Sequence, residues 1–166
     1  MTASPDNPLT GIRLVAFDID GVFTDGRFYL SDHGIESKAF NTQDGYGIRC
    51  LIKAGIQVAV ISGRSSGAVA KRMQELHVHH VIQGCKNKIA ALDAIVTEIG
   101  ISDADCAFVG DDLPDLPLLH KVGYSIAVAN AVAEIKDQCD YITSAAGGFG
   151  AVREVCDLVL AAQSEP

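Results

Sequence analysis

Apolar positions along this chain follow two alternating patterns, continuous short runs and helical spacing, and their order predicts an architecture. Ile12–Asp18 is a strand candidate, apolar throughout from Leu14 to Phe17, and Ile56–Ile61 is a short run apolar but for Gln57. Such runs fit strands buried on both faces. Asp44–Ala54 instead repeats at helical spacing, with Ile48, Leu51 and Ile52 on one side and Gly55 at the C-terminal cap position. Ser66–Leu76 is helical in pattern, as is Lys86–Ile99, where Ile89, Leu92, Ile95, Val96 and Ile99 form a stripe closed by Gly100. Further strands are predicted at His79–Ile82, Ala107–Val109, Tyr124–Val128 and Tyr141–Thr143. Further helices are predicted at Leu116–Lys121, Ala131–Lys136 and Ala151–Ala162, the last striped by Val152, Val155, Leu158 and Val159. One segment departs from the alternation: Phe28–Ser31 and Glu36–Phe40 flank Asp32-His33-Gly34, the pattern of a hairpin. Strand–helix repetition predicts an α/β fold, a Rossmann-like doubly wound parallel sheet with helices on both faces. Such sheets bind ligands at the carboxyl ends of strands, near a topological switch point.

The strand ends are where the polar residues gather. The run Val-Ala-Phe-Asp-Ile-Asp-Gly, residues 15–21, finishes a buried strand with two carboxylates. Positions i and i+2 of a strand face the same way, so Asp18 and Asp20 share a side while Gly21 lets the chain turn. A second acidic group, Gly110-Asp111-Asp112-Leu113-Pro114-Asp115, ends the Ala107–Val109 strand. Two such groups repel one another unless a cation lies between them. Oxygen ligands without a histidine or cysteine set favour Mg²⁺ over zinc. Ser62-Gly63-Arg64 brings a hydroxyl and a backbone N–H to another strand end, and Lys88 stands in the first turn of the next helix. Hydroxyl, lysine, helix N-terminus and divalent cation around a carboxylate form a place where a phosphoryl group is neutralised and attacked in line. Taken singly, each piece has an ordinary structural reading as a turn, an N-cap or a capping arrangement. Their joint placement at successive strand–helix boundaries points to chemistry.

Composition narrows the picture. The chain has 166 residues, 48% hydrophobic and 20% charged, which suits one domain over 1–166 with a substantial core. A net charge of −8 argues against a nucleic-acid surface. The apolar runs are far shorter than the roughly 20 residues of a membrane span. Residues 1–11 are polar, with neither a basic nor an apolar leader segment, and are expected to be a flexible N-terminal segment of a cytoplasmic protein. Cys50, Cys85, Cys106, Cys139 and Cys156 form no C-x-x-C pair and read as small buried hydrophobes in a reducing compartment. The five histidines, His79-His80 included, lack ligand spacing to the acidic groups.

The four clusters resemble the motifs of the haloacid dehalogenase superfamily of phosphohydrolases: Asp18-Ile19-Asp20-Gly21-Val22 the first, Ser62 the second, Lys88 the third, and Gly110-Asp111-Asp112 with Asp115 the fourth. The likeness runs from Leu14 to about Leu160. It implies that Asp18 is a nucleophile forming an aspartyl-phosphate, and that Asp20 protonates the leaving oxygen and then activates water. It further implies Mg²⁺ held by Asp18, the Asp20 backbone carbonyl and Asp111, with Asp112 and Asp115 in support. Ser62, Gly63 and Lys88 would bind the phosphoryl oxygens.

The superfamily's enzymes for small substrates usually carry a cap domain, and only the short hairpin over 26–41 stands in its place here. An uncapped site is too open to exclude water. Either the substrate is macromolecular or a neighbouring subunit closes the pocket. The hairpin's Phe28, Tyr29, Leu30 and Phe40 read as interface residues or as a satellite core under a loop. In detail the chain resembles the capless family of 3-deoxy-D-manno-octulosonate 8-phosphate (KDO 8-phosphate) phosphatases of lipopolysaccharide biosynthesis. Residues 18–26, 40–47 and 146–154 carry that likeness. It implies a homotetramer with hairpins packed at its centre, a role for the C-terminal end near a neighbouring site, and a sugar-acid phosphate as substrate. Nucleic acid and membrane are not among the expected partners. Arg64 is the candidate for the substrate carboxylate, because a guanidinium recognises it two-pronged; the other reading is a surface arginine. Three rivals stay open: phosphatases of nine-carbon acid sugars (2-keto-3-deoxynononate or N-acylneuraminate 9-phosphate), a phospho-receiver domain, and a non-catalytic interaction module of the same superfamily, which would have little reason to retain both Asp18 and Asp20. Receivers put the phosphorylated aspartate on the third strand, where this chain has none.

Overall fold

A computed structural model describes residues 7–164. Six parallel strands make the central sheet: β1 (Leu14–Phe17), β4 (Gln57–Ile61), β5 (His80–Ile82), β6 (Cys106–Gly110), β7 (Tyr124–Ala127) and β8 (Tyr141–Ile142). Two-residue strands β2 (Tyr29–Leu30) and β3 (Glu36–Ser37) form the separate hairpin. The helices are α1 (Thr42–Lys53), α2 (Gly67–Glu75), α3 (Lys88–Ile99), α4 (Leu116–Leu119), α5 (Ala133–Lys136) and α6 (Ala151–Ser164). The sheet order is β5-β4-β1-β6-β7-β8, all parallel. This is the doubly wound arrangement expected, and its order reverses between β1 and β6.

β1 and β6 are wholly buried, which is why both read as unbroken apolar runs. The elements differ from expectation mainly at their ends. α1 starts at Thr42, two residues early, because Asn41 Oδ1 accepts the Gln43 N–H at 2.8 Å and caps the helix. α5 starts at Ala133 instead of Ala131, since Val132 is extended. The expected strands of the hairpin shrink to two residue pairs joined by the Ser31–Ile35 turn. Of the segment 1–11, residues 1–6 lie outside the described residues. Pro8–Gly11 is a 3-10 turn capped by Asn7 that buries Leu9, so from Asn7 onward the chain is docked on the core. Asp44 of α1 is buried and accepts the Arg153 N–H at 2.9 Å, so one helix caps the N-terminus of another. No helix among the described residues is long and apolar enough to cross a membrane.

Candidate active site

Phe17 lies level with Val109 across the β1–β6 pair, and Asp18 N–H donates to the Val109 carbonyl at 3.0 Å. The two acidic groups therefore meet at the switch point. Carboxylate oxygens of Asp18, Asp111 and Asp115 lie within 4.8 Å of one another. The turn after β1 brings its backbone against Asp111: Gly21 has φ +87°, and a Cβ there would run into Asp111 Oδ2. Thr24 is buried beneath this loop, where its hydroxyl accepts the N–H groups of Gly21 and Gly26 at 3.3 and 3.2 Å. Gly147 packs so closely on the Gly21 carbonyl that no side chain fits, which explains the first glycine of the run before α6.

Lys88 opens α3, whose N-terminus is capped by Asn87 Oδ1 on the Ala90 N–H at 3.1 Å. Its ammonium lies 2.7 Å from Asp115 Oδ1 and 3.2 Å from Asp18 Oδ1. Asp115 Oδ2 accepts the Asp111 and Asp112 N–H groups at 3.0 and 3.4 Å. Asp115 thus orients both the lysine and the loop that carries Asp111. Asp112 lies at the pocket wall, where its side chain caps the following 3-10 turn on the Leu113 N–H at 2.8 Å. Ser62, buried at the end of β4, accepts the Arg64 N–H at 3.4 Å. Asp18, Asp20, Ser62, Gly63, Lys88 and Asp111 line one pocket of about 330 Å³, with Arg64, Asp112 and Asp115 also on its wall. Every candidate from the sequence falls there.

Two residues were not anticipated. Lys38 Nζ is 2.5 Å from Asp20 Oδ1, and Glu36 binds both Lys38, at 3.5 Å, and Arg64, at 2.6 Å. Glu36 and Lys38 alternate in the extended arm of the hairpin, the one sequence signal that both face the same way. Arg64 accordingly has a partner already: its guanidinium lies on Glu36 and 4.2 Å from the Phe28 ring centroid.

The electrostatics of the main cluster are lopsided. Burial, then the Asp115 charge, pushes Asp18 up to about 6, although Lys88 opposes the shift. Burial, then Asp18, Asp115 and Asp112, pushes Asp111 up to about 8. Burial works against the Lys88 charge, but Asp18 and Asp115 outweigh it and hold the ammonium's pKa up. Three close carboxylates thus face one lysine, and their oxygen donors fit a hard divalent cation. A consequence is measurable. A carboxyl whose folded pKa exceeds its unfolded value loses stabilisation as pH rises from about 4 through the folded pKa. The metal-free protein should therefore weaken between about pH 4 and 8. Mg²⁺, which competes with those protons, should raise Tm more at pH 8 than at pH 5. A hundredfold excess over Kd is worth on the order of 5–10 °C at the higher pH. Equal shifts at both pH values, in thermal scans with Mg²⁺ against chelator, would contradict this.

A family model described as haloacid dehalogenase-like hydrolase matches residues 78–153. Over 154 residues the chain is 47% identical to the 3-deoxy-D-manno-octulosonate 8-phosphate phosphatase of Escherichia coli, covering 93% of this chain and 82% of that one. The crystal structure of the phosphatase of that name from Yersinia pestis has a TM-score of 0.94 and 43% identity, over 95% of this chain and 85% of the other. Another, from Moraxella catarrhalis in complex with magnesium ion, phosphate ion and KDO, has a TM-score of 0.92 and 44% identity, over 94% and 90% of the two chains.

Proposed function

The chain belongs to the haloacid dehalogenase-like hydrolase family, and we propose that it is a Mg²⁺-dependent phosphatase that hydrolyses KDO 8-phosphate to KDO and phosphate. The observation that carries this reading is Asp18 in a pocket with Lys88, Ser62 and Asp111. A carboxylate nucleophile, a cation, a hydroxyl and a metal-binding carboxylate are the parts that phosphoryl transfer requires. The relatives' substrate and their magnesium complex support the choice of substrate and metal.

In this mechanism Asp18 attacks phosphorus in line, and the P–O bond to C8 of the sugar acid breaks. Asp20 gives its proton to the departing oxygen. It then takes a proton from water as that water attacks the aspartyl-phosphate, releasing phosphate and restoring Asp18. Lys88 holds Asp18 and carries positive charge to the transferring oxygens, with Ser62 and the Gly63 N–H as further donors. Asp18, the Asp20 carbonyl and Asp111 would hold Mg²⁺, with Asp112 and Asp115 in support; the ion when bound supplies positive charge against the phosphoryl oxygens. Arg64 at the wall is the group we assign to the substrate carboxylate.

We further place the enzyme in the cytoplasm and in lipopolysaccharide biosynthesis, acting as a homotetramer. Exposed Tyr29, Leu30 and Ile35 on the hairpin support the tetramer, since a two-stranded hairpin with an apolar surface is poorly stable alone. The test is phosphate release over a panel of sugar phosphates, with Mg²⁺ and with chelator, on a preparation sized by light scattering. Highest kcat/KM on KDO 8-phosphate, its loss without metal and a tetrameric mass are expected. Preference for a nine-carbon keto acid would replace the substrate, and a fully active monomer would refute subunit closure.

A further inference from the structure

Two ionic clusters reach the pocket, one through Asp18 and one through Asp20, and they differ in charge balance. Around Asp18, three carboxylates share one lysine. Around Asp20, two carboxylates, Asp20 and Glu36, share two cations, Lys38 and Arg64. The second set balances its own charges, two negative side chains against two positive. The Asp20 carboxylate is also absent from the gathered Asp18, Asp111 and Asp115 oxygens.

The unusual member is Lys38. Its side chain is only 1% exposed, and a buried ammonium is costly unless closely paired. The pairing is with one oxygen of Asp20. Among the described residues, the other oxygen, Oδ2, has only Arg64 Nε nearby, at 3.9 Å. Lys38 comes from the hairpin arm, and its neighbour two residues back, Glu36, clasps Arg64, which in turn rests on Phe28. The hairpin is therefore wired to Asp20 through two charged side chains, besides offering an apolar outer surface.

We propose that Lys38 is a positioning residue for the leaving-group step: it fixes Asp20 Oδ1 so that Oδ2 is the oxygen presented to the departing sugar hydroxyl. The hairpin then stands as part of the catalytic apparatus of its own chain. This rests on the assignment of Asp20 as proton donor, and the experiment separates the two ideas. A proton donor matters for a poor leaving group such as the C8 alkoxide and little for p-nitrophenolate. The quantity to measure is kcat/KM on KDO 8-phosphate and on p-nitrophenyl phosphate, which covers steps up to breaking of the P–O bond and omits the shared hydrolysis of the aspartyl-phosphate.

Asp20→Asn is the reference and should lose activity on the sugar phosphate about 100-fold more than on the aryl phosphate. Lys38→Met should show the same inequality, at about 10-fold or more, with Lys38→Arg recovering most of it. Should Lys38→Met fail to fold, Lys38→Gln, whose amide ends one atom short of the Lys38 ammonium and so releases Asp20 Oδ1, is read the same way. If Asp20→Asn discriminates between the substrates and the Lys38 variants lose equally on both, Lys38 is only a tether for the hairpin and the proposal falls. If Asp20→Asn itself shows no inequality, the assignment of Asp20 fails first and takes the proposal with it.

Discussion

Asp18→Asn should abolish phosphatase activity while leaving the fold intact. Loss of a nucleophile that forms a covalent intermediate costs at least about 10⁴-fold in kcat. Asparagine has nearly the shape of aspartate, so packing beside Phe17 and the hydrogen bond from Asp18 N–H to Val109 are unaffected. The effect on stability has the opposite sign from that on activity. Ionised Asp18 is disfavoured by burial and by Asp115, as its pKa of about 6 records. Removing that charge should leave the metal-free variant as stable as the parent at pH 8, or more stable by on the order of 1–3 kcal/mol. The gain should vanish below about pH 4, where the parental carboxyl is protonated in both states. The measurements are phosphate release and urea denaturation of both proteins with chelator. Activity within tenfold of the parent would remove Asp18 from the mechanism.

Lys88→Ala should harm activity and stability together. The lysine is the only cation in contact with Asp18 and Asp115 among the described residues, and Asp115 is 1% exposed. Taking one partner from a buried ion pair costs about 3–5 kcal/mol, because the remaining carboxylates stay buried without it. Asp115 also positions the Asp111 loop through two N–H groups, so the disturbance should reach the metal-binding side. Loss of a cation at the transferring oxygens adds a fall in kcat of about 10²–10³. Lys88→Arg keeps the charge, but its broad planar head replaces a compact one within 3.2 Å of two carboxylates. It should recover more stability than activity. Steady-state kinetics with denaturant curves separate the parts; a stable, fully active Lys88→Ala would show that the lysine serves neither role.

Much of the fold was legible because the buried strands are short and apolar throughout and the helices between them keep their spacing. The acidic pairs were legible for the same reason: a carboxylate at the end of such a strand is conspicuous. Element ends were less so, since Asn41 and Val132 decide α1 and α5 through local hydrogen bonding and backbone conformation that periodicity does not register. Arg64 was legible as a pocket residue, but its engagement by Glu36 and Phe28 was not, because those residues lie 28 and 36 positions earlier in a segment with little regular structure.

By itself, the sequence determined the doubly wound sheet, the strand ends at which Asp18, Ser62 and Asp111 emerge, and the helix start that carries Lys88. These follow from local rules of alternation, helical spacing and turn residues, each satisfied within a few positions along the chain. Only the tertiary structure decided that Lys88 bridges Asp18 and Asp115, that Gly21 and Gly147 meet without room for a side chain, and that Lys38 reaches Asp20. Those contacts join residues far apart in the chain. What selects them is the energy of burying charges in pairs, and that energy exists only once the packed core has removed the water.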